Sequence, residues 1–118
     1  MTDRPACLIG LDLGTSAIKG VLVDAAGRVC AEAGADTALL HPHDGWVEVE
    51  PEEHYGRVCG VLRTLAGAAP APVIAVAMAA ASGNTLLTAA DGTPLTRIIN
   101  WMDRRAEEEP LAALEGLD

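Results

Sequence analysis

The chain has 118 residues, half of them apolar, and a formal net charge of −9. That is enough for one small domain with a real core, and too apolar for a disordered chain. The negative balance argues against nucleic acid and against an anionic membrane as partners, so any phosphate would be held by local dipoles, a metal and one or two cations.

The first apolar stretch reads as two strands joined by a tight polar turn. Leu8, Ile9, Leu11 and Leu13 make one strand, and Ile18, Val21, Leu22 and Val23 the other. Gly14, Thr15 and Ser16 lie between them, bounded by Asp12 and Lys19. Gly14 is expected to take backbone angles that a side chain forbids. A turn of this kind aims several N–H groups at one point and so can hold a phosphate. The Thr15 and Ser16 hydroxyls add donors. Asp12, at the end of a buried strand, is a hard oxygen ligand suited to Mg²⁺. Lys19 can reach a phosphate as a point charge. A Walker loop is excluded, because no helix-opening Gly-Lys-Ser/Thr follows the glycine. An ordinary hairpin whose Asp and Thr cap the turn has the same local pattern.

Asp24 to Arg28 is a turn, and Val29 to Ala33 a third, weakly patterned strand. Residues 36–46 read as loop, with His41, Pro42 and His43 at its centre. These two histidines and His54 fit a surface position better than a metal site. A helix starts at Glu50-Pro51, with Tyr55, Val58, Cys59, Leu62, Leu65 and Ala66 on one face. Val73 to Met78 is a continuous apolar run, the pattern of a strand buried on both faces and parallel to an earlier one. Thr85 to Thr88 and Ile98-Ile99 read as further strands, and a helix begins near Asp103, kinked or restarted at Pro110. Glu107, Glu108 and Glu109 read as a solvated helix face. Cys7, Cys30 and Cys59 are odd in number and widely spaced, as in reduced thiols of a cytoplasmic protein. The first residues do not form a signal peptide, and no stretch approaches the length of a membrane span.

The motifs agree in order and spacing. Gly10-Leu11-Asp12-Leu13-Gly14-Thr15-Ser16 is followed by Gly45-Trp46-Val47-Glu48-Val49-Glu50-Pro51 at the helix start. Ser82-Gly83-Asn84-Thr85-Leu86-Leu87, Asp91-Gly92-Thr93-Pro94 and Asn100-Trp101-Met102-Asp103-Arg104-Arg105 come next. The set resembles the beginning of an FGGY carbohydrate kinase, from about Leu8 to Arg105. The first motif is shared across actin-like ATPases; the Gly-Trp and Trp-x-Asp-x-Arg blocks are more specific.

The resemblance implies an α/β, ribonuclease-H-like half-domain: a three-stranded antiparallel meander, a helix, then a parallel strand, in one mixed sheet. It implies ATP and Mg²⁺ as cofactors and a sugar, polyol or sugar acid as substrate. Asp12 then belongs to the Mg²⁺–phosphate site, Gly14, Thr15 and Ser16 form the phosphate turn, and Lys19 neighbours it. Trp101 resembles the tryptophan that lies against the substrate, with Asp103 and Arg104 beside it. Core packing for Trp101 and N-capping for Asp103 are the alternatives from the residues alone. Where relatives carry larger substrate-touching side chains, this chain has Ser82 and Gly83, with Asn84 as the nearest amide. The substrate is therefore not required to be glycerol or xylulose. The catalytic aspartate and the adenosine-binding second domain of the family fall beyond residue 118. The chain reads as a partial first domain, inactive alone, and a homo-oligomer stays open for a full-length form. Another actin-like ATPase, or a non-catalytic fragment that binds sugar or a partner, are the competing readings.

Overall fold

The computed structural model describes residues 5–108. Strands β1 (Cys7–Leu13), β2 (Ala17–Asp24) and β3 (Val29–Asp36) form the expected antiparallel meander. Then come β4 (Leu39–Leu40), β5 (Glu48–Val49), α1 (Pro51–Gly67), β6 (Val73–Ala80) and β7 (Ile98–Ile99). The larger sheet has the order β3-β2-β1-β6, with β6 parallel to β1. The smaller has the order β4-β5-β7 and is antiparallel throughout.

Alternation in β1 and β2 builds the core. Cys7, Ile9 and Leu11 are buried with Ile18 and Leu22, against Val61 and Leu65 of α1. Leu8 and Asp12 point to the other face and are exposed. Gly20 lies on the buried face of β2. A Cβ there would come within 2.6 Å of Leu65 Cδ1 and 2.9 Å of Val61 Cγ1, so glycine is what lets α1 settle directly on β2. Pro51 opens α1, and Glu52 and Glu53 occupy its first turn, where acids suit the helix dipole. The apolar stripe is rotated from its expected line: Val61 joins Leu65 in the core, while Tyr55 and Ala66 are exposed.

Other expectations need correction. Val73 to Met78 is not buried on both faces: Ile74, Val76 and Met78 are 69%, 53% and 65% exposed. β6 is an edge strand, and no described strand pairs with its outer side. α1 meanwhile lies over β2 and β3. The supposed loop 36–46 contains β4, a strand too short to show any periodicity. Thr85 to Thr88 makes only two isolated bridges, Thr85 with Ile99 and Thr88 with Pro94. The helix expected near Asp103 is a single 3₁₀ turn, Arg105–Glu108, as far as the described residues go. Pro110 lies outside them.

Candidate functional site

The turn after β1 is built from backbone. Gly14 N–H donates to Ala17 O at 2.9 Å. A Cβ on Gly14 would sit 2.8 Å from that carbonyl oxygen. Glycine is therefore required for space; its φ lies outside the left-handed region, contrary to expectation. Thr37 braces the turn from behind. Its N–H donates to Ser16 O at 2.9 Å and its hydroxyl to Gly14 O at 3.3 Å. The N–H groups of Thr15 and Ser16 have no backbone acceptor among the described residues. They are the free donors that an anion-binding turn needs.

Asp12 and Lys19 stand opposite each other in the β1–β2 register, both exposed on the sheet face turned away from α1. With Glu32 they edge an open trough of about 510 Å³, floored by Gly10 and Ala77. Asp12 supplies one hard carboxylate at the mouth of the turn. Mg²⁺ commonly takes one or two carboxylates and completes its shell with water and substrate phosphates, so the residue fits that ion. No cluster of three His, Cys, Asp or Glu side chains suited to a metal occurs among the described residues.

Trp101 reaches this turn from the far end of the chain. Its indole Nε1–H donates to Thr15 Oγ1 at 2.8 Å. Its backbone N–H donates to Asn84 Oδ1 at 2.9 Å. Gly83, at φ +83°, lies beneath it, and a Cβ there would be 3.2 Å from Trp101 Cβ. Trp101 is 54% exposed, so it is not core packing. Thr15, Gly83, Asn84 and Trp101 thus converge, with Ser82 exposed beside them.

Asp103 and Arg104 are placed differently. The Asp103 side chain is 3% exposed. Oδ2 accepts the Val47 N–H at 2.7 Å and Arg105 Nη2–H at 2.7 Å; Oδ1 accepts Arg105 Nε–H at 2.7 Å. Arg105 also donates to Glu48 Oε1 at 2.9 Å and lies 3.8 Å over the Trp46 ring. This bidentate, charge-assisted knot fastens the Gly45–Val49 segment to the turn that carries Trp101. Arg104 pairs at the surface with Glu107 at 2.7 Å. The sequence motifs include Arg105 and Glu48, but the sequence reading gives the site role to Arg104 and none to these two.

The hydrogen bonds from Arg105 hold the Asp103 carboxyl well below the usual carboxylate range, against the opposing effect of burial. A folded-state value below the unfolded one contributes stability that is complete above about pH 4 and lost as pH falls from there. Asp103→Asn should therefore lower Tm at neutral pH and flatten the acid limb of a Tm-against-pH curve. An unchanged acid limb would remove Asp103 from that role.

The histidines form no cluster. His41 Nδ1 lies 3.1 Å from Trp46 O, and His43 meets the Trp46 ring edge-on. His54 is half-buried rather than fully at the surface as expected. Its Nδ1 is buried without a partner, beside a hollow of about 100 Å³ behind the turn, and burial lowers its basicity. The described cysteines are unpaired. No described helix is long and apolar enough to cross a membrane.

Known proteins match this arrangement. The sequence profile of the FGGY family of carbohydrate kinases, N-terminal domain, matches residues 7–114. Glycerol kinase of Gloeobacter violaceus is 35% identical over 99 residues, covering 83% of this chain and 20% of that protein. The gluconate kinase structure from Lactobacillus acidophilus superposes with a TM-score of 0.83 at 26% identity, covering 88% of this chain and 21% of its own. The xylulose kinase structure from Rhodospirillum rubrum gives a TM-score of 0.82 at 28% identity, covering 92% and 23%. The chain spans about a fifth of the length of these relatives. The profile runs through both the turn and the Trp101 segment, and the chain belongs to the FGGY family of carbohydrate kinases, within its N-terminal domain.

Proposed function

We propose that this chain is the leading part of a longer ATP-dependent kinase that phosphorylates a hydroxyl of a sugar, polyol or sugar acid. The observation that carries this is the Trp101–Thr15 hydrogen bond, which puts an exposed aromatic ring beside a phosphate-type turn. Phosphoryl transfer is mainly positioning and electrostatic stabilisation. Gly14, Thr15 and Ser16 offer N–H and hydroxyl donors to phosphate oxygens, and Lys19 a nearby positive charge. Asp12 is the residue to hold Mg²⁺, which when bound neutralises charge developing on the phosphates. The exposed face of Trp101 suits the C–H face of a carbohydrate, with the Asn84 amide nitrogen left to reach a hydroxyl. Asp103 and Arg104 act at the margin of this site, Asp103 by fastening the Trp101 turn. The acceptor's general base and the adenosine site belong to chain beyond residue 118. The unpaired thiols and negative charge suit a cytoplasmic setting without nucleic acid.

Ser82 and Gly83 leave room beside Trp101, which favours a five- or six-carbon substrate. The glycerol kinases among the relatives favour glycerol as a second reading. ADP release is to be measured with Mg-ATP and a panel of pentoses, hexonic acids, polyols and glycerol. This chain alone should show none above background, and the complete kinase should show it with a larger substrate. Trp101→Ala in that kinase should weaken sugar binding by about 1–3 kcal/mol. Sugar-dependent turnover by this chain alone would sink the partial-domain reading. Glycerol as best substrate, or unchanged affinity after Trp101→Ala, would show the pocket misplaced.

A further inference from the structure

Trp101 is held at three points. Asn84 Oδ1 accepts its backbone N–H, Gly83 packs under its Cβ, and Thr15 Oγ1 accepts its indole N–H. The first two fix the backbone. Of the three, only the Thr15 bond acts on the ring of this half-exposed residue.

An indole nitrogen is purely a donor, so Thr15 must act as the acceptor in this bond. A hydroxyl has one proton to give and two lone pairs to receive with. With a lone pair committed to Trp101, the Thr15 proton is free to point elsewhere. Among the described residues no hydrogen bond is donated by the Thr15 hydroxyl, which takes part only as the acceptor of the indole N–H. The Thr15 hydroxyl therefore accepts from the indole and keeps its own proton available, next to the exposed Ser16. The N–H groups of Thr15 and Ser16, on the same turn, also lack a backbone acceptor among the described residues.

We propose that Thr15 is a positioning residue that couples phosphate at the turn to the orientation of the Trp101 ring. The proposal rests on the reading of Gly14-Thr15-Ser16 as a phosphate turn. When the Thr15 O–H donates to an anionic oxygen, its own oxygen becomes a better acceptor, and the indole bond strengthens. Phosphate thus steadies the platform on which the acceptor sugar lies. By linkage, a ring held in that orientation presents the Thr15 proton to the phosphate. The coupling runs through one side chain and needs no movement of the backbone.

The test uses this chain with ¹⁵N labelling and follows two signals, the Trp101 indole N–H and the Ser16 amide. Trp101→Phe assigns the indole resonance by its loss. In the free protein, Thr15→Val should shift that resonance and make its exchange with water several-fold faster, and Thr15→Ser should restore both. Inorganic phosphate should then move the indole and the Ser16 amide together in the wild type and in Thr15→Ser. In Thr15→Val it should move the amide alone. Unchanged indole exchange in Thr15→Val overturns the proposal. So does phosphate that moves the Ser16 amide but not the indole in the wild type, an outcome that leaves the phosphate turn standing. Phosphate that moves neither signal removes the phosphate turn and the coupling with it.

Discussion

Asp12→Asn in the complete kinase is expected to lower turnover by about a hundredfold or more while leaving sugar affinity nearly intact. The substitution keeps size and shape and removes one negative charge. A neutral amide oxygen is a poor ligand for a hard divalent ion, so charge stabilisation at the phosphates weakens. The sugar platform is untouched, because Trp101 is held by Thr15, Gly83 and Asn84 and not by Asp12. Folding should be unaffected too. Asp12 is exposed on the face away from α1 and makes no side-chain hydrogen bond among the described residues. The Tm of this chain carrying Asp12→Asn should match that of the wild type, which separates a catalytic loss from a structural one. Wild-type turnover in the variant would remove Asp12 from the site.

The parts legible in the sequence are those set by local chemistry. The β1–β2 hairpin shows itself because alternation and a Gly-Thr-Ser turn sit within a few residues. The start of α1 shows itself because proline and acids have a positional meaning there. What stayed hidden depends on partners far along the chain. Thr15 and Trp101 are 86 residues apart, and only the fold makes them neighbours. Asp103 is followed by two arginines, and nothing in their order tells which one grips the carboxylate; it is Arg105, because Glu48 and Trp46 stand on that side. The Val73–Met78 run fits a buried strand, but apolar composition describes a need for cover and not its presence. β4 and β5 are two-residue strands, below any periodicity, whereas β7 is legible as the β-branched pair Ile98-Ile99.

The same distinction governs the core beneath the site, where Gly20 carried no recognisable signal. Leu65 is fully buried against β2, and Leu65→Ala should cost about 2–5 kcal/mol in stability, read from urea or thermal unfolding. Gly20→Ala should also destabilise, by about 1–3 kcal/mol, because its Cβ would meet Leu65 Cδ1 at 2.6 Å and Val61 Cγ1 at 2.9 Å. The two costs have opposite origins, a cavity in one case and crowding in the other. Truncating Leu65 removes the atom that the added methyl on β2 would strike, and that methyl enters the space Leu65 vacated. The double variant should therefore be more stable than the sum of the single losses predicts, by about 1 kcal/mol. Strict additivity would mean that α1 shifts to relieve the crowding, and that Gly20 does not set how closely the helix lies on the sheet. The expected coupling would identify Gly20 as the residue that fixes the distance of α1 from β2, the strand that carries Lys19 and the far end of the phosphate turn.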